Sequence, residues 1–371
     1  MRILHVYAGN LFGGVETYLV TLAKFAQLCP EMVSEFALCF TGRLSEELEV
    51  QGAKVHSLGS VRVRHPWTVL RARRALKSLL QQQIFEVVIC HSPWSLAIFG
   101  STIQRASIPL VFYVHGTVTG KHWVERWAKR IVPDYVICNS HFTEKSVASF
   151  YPSARRSVLS FPVAAPPGFS GQERLAIRSE LGTAADAIVL IQVSRMESWK
   201  GHEVLLKSLG RMKDIPTWVC WIVGGAQRQP EEQYLASLRS LATEEGIAGR
   251  VLFLGQRSDV SQLLAAADIF VQPNIAPEPF GIVFVEALYA GLPVVTSNFG
   301  GGCEIVDDSC GVLVPALDVS ALADTLGKLI HSPETRAAMG IAGNNRAHQM
   351  ADPYTQLGKL QDLLWINLPA R

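Results

Sequence analysis

PVAAPPGFSGQE, residues 162–173, divides the chain. It is dense in proline and glycine and reads as a linker. Before it, short apolar runs recur: RILHVY, EFALCF, KVHSL, EVVICH, PLVFYVH, DYVICN and SVLSFP, separated by helix-period stretches such as VETYLVTLAKFAQL and TVLRARRALKSLL. After it, the pattern restarts with AIVLIQVS, TWVCWIVGG, RVLFLG, IFVQP, PVVTS and GVLVP, and from Asp318 to about Leu364 the chain reads as helical. A strand covered on both faces is apolar along its whole length, so these continuous runs predict parallel α/β sheets. The expected division is an N-terminal Rossmann-like domain over 1–165, a C-terminal one over 166–350, and a terminal helix over 351–371 packing back on the first. Open α/β sheets bind ligands beyond the carboxyl ends of their strands. The expected site is therefore a cleft between two such edges.

With 49% hydrophobic and 18% charged residues in 371, each half can bury a core and global disorder is excluded. No apolar run reaches the roughly 18 residues that span a bilayer. MRILHVYAGN leads into a glycine-rich turn and reads as a first strand, not a signal peptide. The seven cysteines are odd in number, form no C-x-x-C and sit largely in strand-like runs, which fits reduced thiols in a cytoplasmic protein. The net charge of +2 hides an asymmetry, because residues 1–165 carry 18 Lys and Arg against 10 Asp and Glu. Between Val50 and Phe85 there are seven basic residues (Lys54, Arg62, Arg64, Arg71, Arg73, Arg74 and Lys77) and no acid. Two readings stand: a solvated helix face, or a surface for an anionic partner such as lipid headgroups or a phosphate-bearing acceptor. No nucleic-acid-reading motif accompanies the patch, so nucleic acid is not expected as a partner. TGKHWVERWAKRIV likewise has two readings. Trp123, Trp127 and Ile131 form either a face packed on the sheet or the apolar side of a basic helix lying on a membrane.

EPFGIVFVEALYAGLP, Glu278 to Pro293, carries the most chemistry. Glu286 is the sole carboxylic or basic side chain between Phe280 and Pro293, in a helix that reads as apolar on every side and so as buried. An ionised carboxylate there is costly without a partner, and ligand hydroxyls are candidates. Glu278 precedes the helix in a proline-bounded loop. Gly281 stands at the helix start, where free N–H groups suit a phosphate or sugar oxygen. In VSRMESWKGHEVLL, Arg195 follows an apolar strand and Lys200-Gly201 opens a helix, so two cations at a strand-to-helix turn are placed to hold a diphosphate. No D-x-D, H-x-H or H-x-x-x-H occurs, and metal ligands are not expected.

The spacing Glu278-x7-Glu286 within EPFG…EALYAGLPVV resembles the signature of retaining glycosyltransferase family 4, whose fold is GT-B, two Rossmann-like domains facing across a cleft. The resemblance implies that Glu278 contacts donor-sugar hydroxyls and Glu286 the nucleotide ribose, with Phe280, Gly281 and Ile282 lining the same donor site. Arg195-x4-Lys200 looks like the family's phosphate grip. Gly13-Gly14, in NLFGGVETYL, resembles its glycine loop on the donor phosphate, with Glu16 read as helix-start electrostatics. His115, at the end of PLVFYVH, matches a histidine that approaches the donor sugar, its carbonyl near the reacting carbon. Asn139-Ser140 reads as lining. Gly224, and Gln256 and Arg257 after RVLFL, match positions around the nucleotide, and the Gly300–Gly302 loop with Glu304 resembles a G-G-x-x-E turn. No cofactor is implied, since the UDP- or GDP-sugar is itself a substrate. The implied activity is retaining, metal-independent transfer of a hexose-type sugar to a hydroxyl acceptor in bacterial polysaccharide or glycolipid synthesis, with Gly14 and His115 closing over the donor. A sugar-nucleotide epimerase of the same fold and a non-catalytic partner subunit remain as alternatives.

Overall fold

A computed structural model describes residues 1–9 and 13–368. The chain forms two compact units. One runs from Met1 to Ala164 and takes in the chain again from Ala351; the other is Ala165–Met350.

The first unit is built on β1 (Arg2–Tyr7), β2 (Val33–Leu38), β3 (Lys54–Ser57), β4 (Val87–Cys90), β5 (Leu110–Val114), β6 (Tyr135–Cys138) and β7 (Arg156–Val158). They form one sheet in the order β3-β2-β1-β4-β5-β6-β7. Every pairing is parallel, as in His5 opposite Phe36 on one side and Ile89 on the other. Each of the seven apolar runs before the linker is therefore a strand. Leu4, Val6, Val88, Cys90, Phe112, Val114, Val136 and Cys138 belong to one buried cluster, into which helix Pro66–Gln82 sends Val69, Ala72, Leu76 and Leu79. Helix Gly14–Lys24 buries Tyr18, Leu19 and Leu22. Helix Pro353–Asn367 belongs to this unit, where Asn367 Oδ1 accepts from Arg155 Nη2 at 2.8 Å and Gln361 Nε2 donates to Glu31 Oε2 at 3.3 Å.

The second unit has β8 (Ile188–Val193), β9 (Trp218–Val223), β10 (Val251–Gly255), β11 (Ile269–Gln272), β12 (Val294–Ser297) and β13 (Gly311–Val314). The order is β10-β9-β8-β11-β12-β13, again all parallel. This is the doubly wound order, and it reverses between β8 and β11. Leu190, Ile222, Ile269, Val271 and Val295 pack with Leu205, Leu209 and Leu326 from the flanking helices.

Three sequence expectations need correction. The last residues of the proline-rich stretch are not linker but helix, since Gly171–Glu180 starts there. Ser170 and Glu173 form a reciprocal capping box that the proline-rich context masks: Ser170 N donates to Glu173 Oε2 at 2.8 Å and Glu173 N to Ser170 Oγ at 3.3 Å. The Trp stripe is not continuous. Its helix covers only Trp123–Ala128, and Lys129, Arg130 and Ile131 follow as turn and bend. Trp127 packs against the core, whereas Trp123 is exposed and meets Trp94 edge-on at 5.2 Å. The third concerns helix Ile282–Tyr289, which is not buried all round. Ile282, Val283 and Glu286 share a half-buried face, while Phe284, Val285, Ala287 and Leu288 are fully covered.

Candidate active site

In the second unit, the loops that leave the carboxyl ends of β8, β9, β10 and β11 carry most of the residues singled out from sequence. Reversal of strand order at β8/β11 leaves a crevice at that edge. Arg195 leaves β8 and Glu278 lies in the loop beyond β11, so the two segments flank it.

Lys200 closes the single 3₁₀ turn Ser198–Lys200, followed by Gly201 at φ +77°. The turn is pressed onto the backbone leaving β11: a Cβ on Gly201 would lie 1.8 Å from the Pro273 carbonyl oxygen. Gln192 Nε2 donates to the Lys200 carbonyl at 2.9 Å, and Ile275 N donates to the Trp199 carbonyl at 2.8 Å. These ties hold Lys200 Nζ 2.6 Å from Glu278 Oε2, with the side chains only 12% and 14% exposed. The ammonium also sits 3.9 Å from the Trp199 ring centroid, a close cation–π contact. Glu278 is fixed from the other side as well. Gly300 bridges it in parallel β fashion and Gly301 N donates to its carbonyl at 2.7 Å. A Cβ on Gly301 would come within 2.2 Å of the Pro279 oxygen. The glycines of NFGGG thus admit the Glu278 loop.

Arg195 is held differently, at 3.0 Å from Glu197, and remains 38% exposed. Glu197 also accepts from Trp199 Nε1 at 2.9 Å and lies 3.6 Å from Arg228, whose main partner is Glu231 at 2.6 Å. Each cation of the Arg195/Lys200 pair therefore has its own carboxylate, a pairing that spacing did not reveal. Glu197, Arg228 and Gln192 were missed for the same reason. Gly224 N donates to the Gly255 carbonyl at 2.8 Å, joining the ends of β9 and β10. Gln256 packs against Gly225 in the same corner. Arg257 is turned onto Asp259 in two hydrogen bonds, 2.8 and 2.6 Å, with Glu180 at 3.6 Å, so its charge is largely satisfied within the chain. Phe280 is only 3% exposed and belongs to the core through its side chain.

Gly281 caps helix Ile282–Tyr289 and Glu286 stands on its half-buried face. Desolvation raises the Glu286 carboxyl to about 7. No ion pair or hydrogen bond to its side chain forms among the described residues to offset that cost. An uncompensated carboxyl on an otherwise apolar face is a plain acceptor for hydroxyl groups.

In the first unit, Gly13 caps helix Gly14–Lys24, while the preceding Asn10, Leu11 and Phe12 of the glycine loop lie outside the described residues. Glu16 is buried, accepting from Gly13 N at 2.9 Å and from Tyr7 OH at 2.5 Å, in keeping with a helix-start role. His115 follows β5. Its carbonyl accepts from Asn139 Nδ2 at 3.1 Å, and burial lowers its ring to about 3, so it is neutral. Ser140 is the N-cap of helix His141–Phe150, accepting from Thr143 N at 3.1 Å, which explains its place after Asn139 structurally. His91, at the end of EVVICH, lies 2.9 Å from His115 Nε2 and was not singled out from sequence. Cys303 is the one cysteine of the seven that is not buried; all are free thiols. Among the described residues, no group of three or more His, Cys, Asp and Glu is arranged to hold a metal ion.

Two family models match the chain: "Glycosyl transferases group 1" over residues 173–346 and "Glycosyltransferase Family 4" over 12–161. A GDP-mannose-dependent alpha-(1-6)-phosphatidylinositol monomannoside mannosyltransferase of Mycolicibacterium smegmatis is 28% identical over 95% of this chain and 94% of its own length. Among solved structures, Anabaena HepE in complex with UDP-glucose superposes with a TM-score of 0.87 at 24% identity, covering 99% of this chain and 100% of that one. A glycosyltransferase from Rickettsia africae gives 0.89 at 19% identity, covering 100% and 99%. With both halves matched in this way, and with two parallel-sheet units of the GT-B kind, the chain belongs to glycosyltransferase family 4 and is a glycosyltransferase.

Proposed function

We propose that the chain moves a hexose-type sugar from a UDP- or GDP-sugar to a hydroxyl acceptor, with retention at the anomeric carbon and without a metal ion. The observation that carries this reading is the Lys200–Glu278 pair, 2.6 Å apart and nearly buried, with the unpaired Glu286 on the helix that follows the Glu278 loop. A diphosphate competes with Glu278 for Lys200 and draws in the half-exposed Arg195. Glu278, released from the ammonium, then accepts hydroxyls of the sugar, and Glu286 those of the ribose. Charge that builds on the departing diphosphate is met by the two cations. The bond from anomeric carbon to phosphate oxygen breaks, a bond to the acceptor oxygen forms on the same face, and the acceptor proton passes to the departing phosphate. The mannosyltransferase named above and UDP-bound HepE support a nucleotide-sugar donor without choosing between GDP and UDP.

The proposed acceptor is lipid-linked or anionic, met at the cytoplasmic face of a membrane in polysaccharide or glycolipid synthesis. No helix among the described residues is long and apolar enough to cross a membrane. Helix Pro66–Gln82 instead exposes Trp67 (65%) and Leu70 (50%) beside the exposed Arg71, Arg74 and Lys77. Trp94 and Trp123 are exposed on neighbouring helices, and that mixture of aromatic and basic groups suits an anionic bilayer surface. The test is release of nucleoside diphosphate from a panel of UDP- and GDP-sugars, in the presence of EDTA, with the anomeric configuration of the product read by NMR. An inverted product, or release abolished by EDTA, refutes the corresponding part. A donor that is epimerised when no acceptor is present favours the epimerase instead.

A further inference from the structure

Four polar side chains cross the sheet of the first unit in an unbroken line. Ser34 Oγ on β2 lies 3.1 Å from His5 Nε2 on β1. His5 Nδ1 lies 2.9 Å from His91 Nε2 at the end of β4, and His91 Nδ1 lies 2.9 Å from His115 Nε2 after β5. The strand order β2-β1-β4-β5 and the parallel registers put all four on one face. His5 and His91 are fully buried. The rings packed along the line are Phe36, Tyr18, Tyr113 and Phe161, none of them charged. Burial lowers His5 to about 3 and His91 well below the ordinary imidazole value, so all three imidazoles are neutral. The line ends at His115 Nδ1, a buried nitrogen with no hydrogen-bond partner.

A neutral imidazole has one N–H and one lone pair. Each link here joins the Nδ1 of one ring to the Nε2 of the next. Two neighbours in different tautomers would face each other with two protons or with two lone pairs. All three rings must therefore share one tautomer, either all Nδ1–H or all Nε2–H, with Ser34 Oγ able to act as the matching donor or acceptor at the far end. The hydrogen-bonding sense of the free His115 Nδ1 is thereby set from the far side of the sheet.

We propose that Ser34, His5 and His91 are positioning residues for His115, locking its ring in one tautomer so that Nδ1 meets a sugar hydroxyl with a fixed hydrogen-bonding sense. The ligand class rests on the transfer reading above, whereas the locked tautomer does not. Packing alone would account for burial of the rings, but not for an unpartnered nitrogen at the end of a line in which every other ring nitrogen is paired.

Nitrogen-15 NMR of histidine-labelled protein, with signals assigned through single variants, reads each tautomer directly. In the wild type, His5, His91 and His115 should be neutral at pH 7 and show the same tautomer. Any two that differ, or a protonated ring, overturn the proposal. His91→Phe keeps a ring against Tyr18 and Tyr113 but breaks both links. His115 should then show a mixture of tautomers, and kcat should fall by about 10–100-fold, the scale known for outer partners that orient metal-ligating histidines, with KM for the donor unchanged. A folded H91F enzyme with wild-type kcat overturns the positioning role. Ser34→Ala removes only the terminal hydroxyl and tests the lock by NMR if H91F does not fold. A wild-type protein inert towards every nucleotide sugar refutes the functional reading instead, and the tautomer measurement still decides the lock.

Discussion

At the scale of single residues, carboxyl groups hold the most informative chemistry. Glu286 has an ordinary value of 4.5 when unfolded and about 7 when folded. Below pH 4.5 the two states are protonated alike and the residue has no effect. Between 4.5 and 7 the unfolded chain has already lost the proton that the folded chain retains, so folded stability falls as pH rises. Above 7 the penalty is complete, about 3 kcal/mol. Glu286→Gln should therefore raise the unfolding midpoint at pH 8 and leave it nearly unchanged at pH 4.5, while weakening nucleotide binding; a wild-type midpoint at pH 8 would contradict a carboxyl raised by burial. Lys200→Ala works in the opposite direction. It strands Glu278 in a nearly dry site and should cost about 3 kcal/mol of stability, together with a loss of roughly 100–1,000-fold in kcat from the missing phosphate charge. The double variant K200M/E278Q removes the stranded charge. It should recover most of the stability and none of the activity, which chemical denaturation and a transfer assay would separate. Glu286 was legible in sequence because a lone acid in an apolar run is chemically conspicuous. The Lys200–Glu278 contact was not, because two residues 78 apart in sequence meet only once β8 lies beside β11.

At the scale of elements, short turns decide the geometry. Gly201 holds a left-handed backbone against the Pro273 carbonyl, so Gly201→Ala should cost at least about 2 kcal/mol through strain and displacement of the Lys200 turn. The loss of kcat should exceed what the stability change explains at a temperature where the variant is fully folded. On the first unit, helix Pro66–Gln82 tests the two readings of the acid-free stretch. Its buried stripe of Val69, Ala72, Leu76 and Leu79 accounts for the fold, leaving Trp67, Leu70, Arg71 and Arg74 outside. If that outer face meets anionic lipid, Arg71→Glu with Arg74→Glu should weaken sedimentation with phosphatidylserine vesicles by at least tenfold, at about 1 kcal/mol per basic residue lost. Transfer to a small soluble acceptor should be unaffected. Equal binding of the variant and the wild type would leave a solvated helix face as the account. The Trp stripe shows the limit of periodicity: Trp123 and Trp127 have helical spacing, yet the helix ends at Ala128, and only Trp127 and Ile131 reach the core while Trp123 stays exposed.

For the whole molecule, the shared prediction is linkage. A matching nucleoside diphosphate at 100 times its dissociation constant should add roughly 2.7 kcal/mol of stability. UDP and GDP should differ, and Lys200→Ala should reduce the gain; equal, negligible shifts from both nucleotides would argue against a nucleotide-sugar site. The amino-acid sequence by itself determined the two α/β halves, because central parallel strands covered on both faces must be apolar throughout, and the thirteen runs stand in the chain as strands, with only the edge strands β3 and β7 markedly polar. It also determined the candidate acids and cations, since charge next to apolar runs is costly and visible. Tertiary structure alone decided who partners whom. Strand order brought Lys200 to Glu278 and lined up Ser34, His5, His91 and His115 across four strands. Local patterning records what a segment must bury, whereas hydrogen bonds and ion pairs act over about 3 Å and depend on which segments the topology makes neighbours.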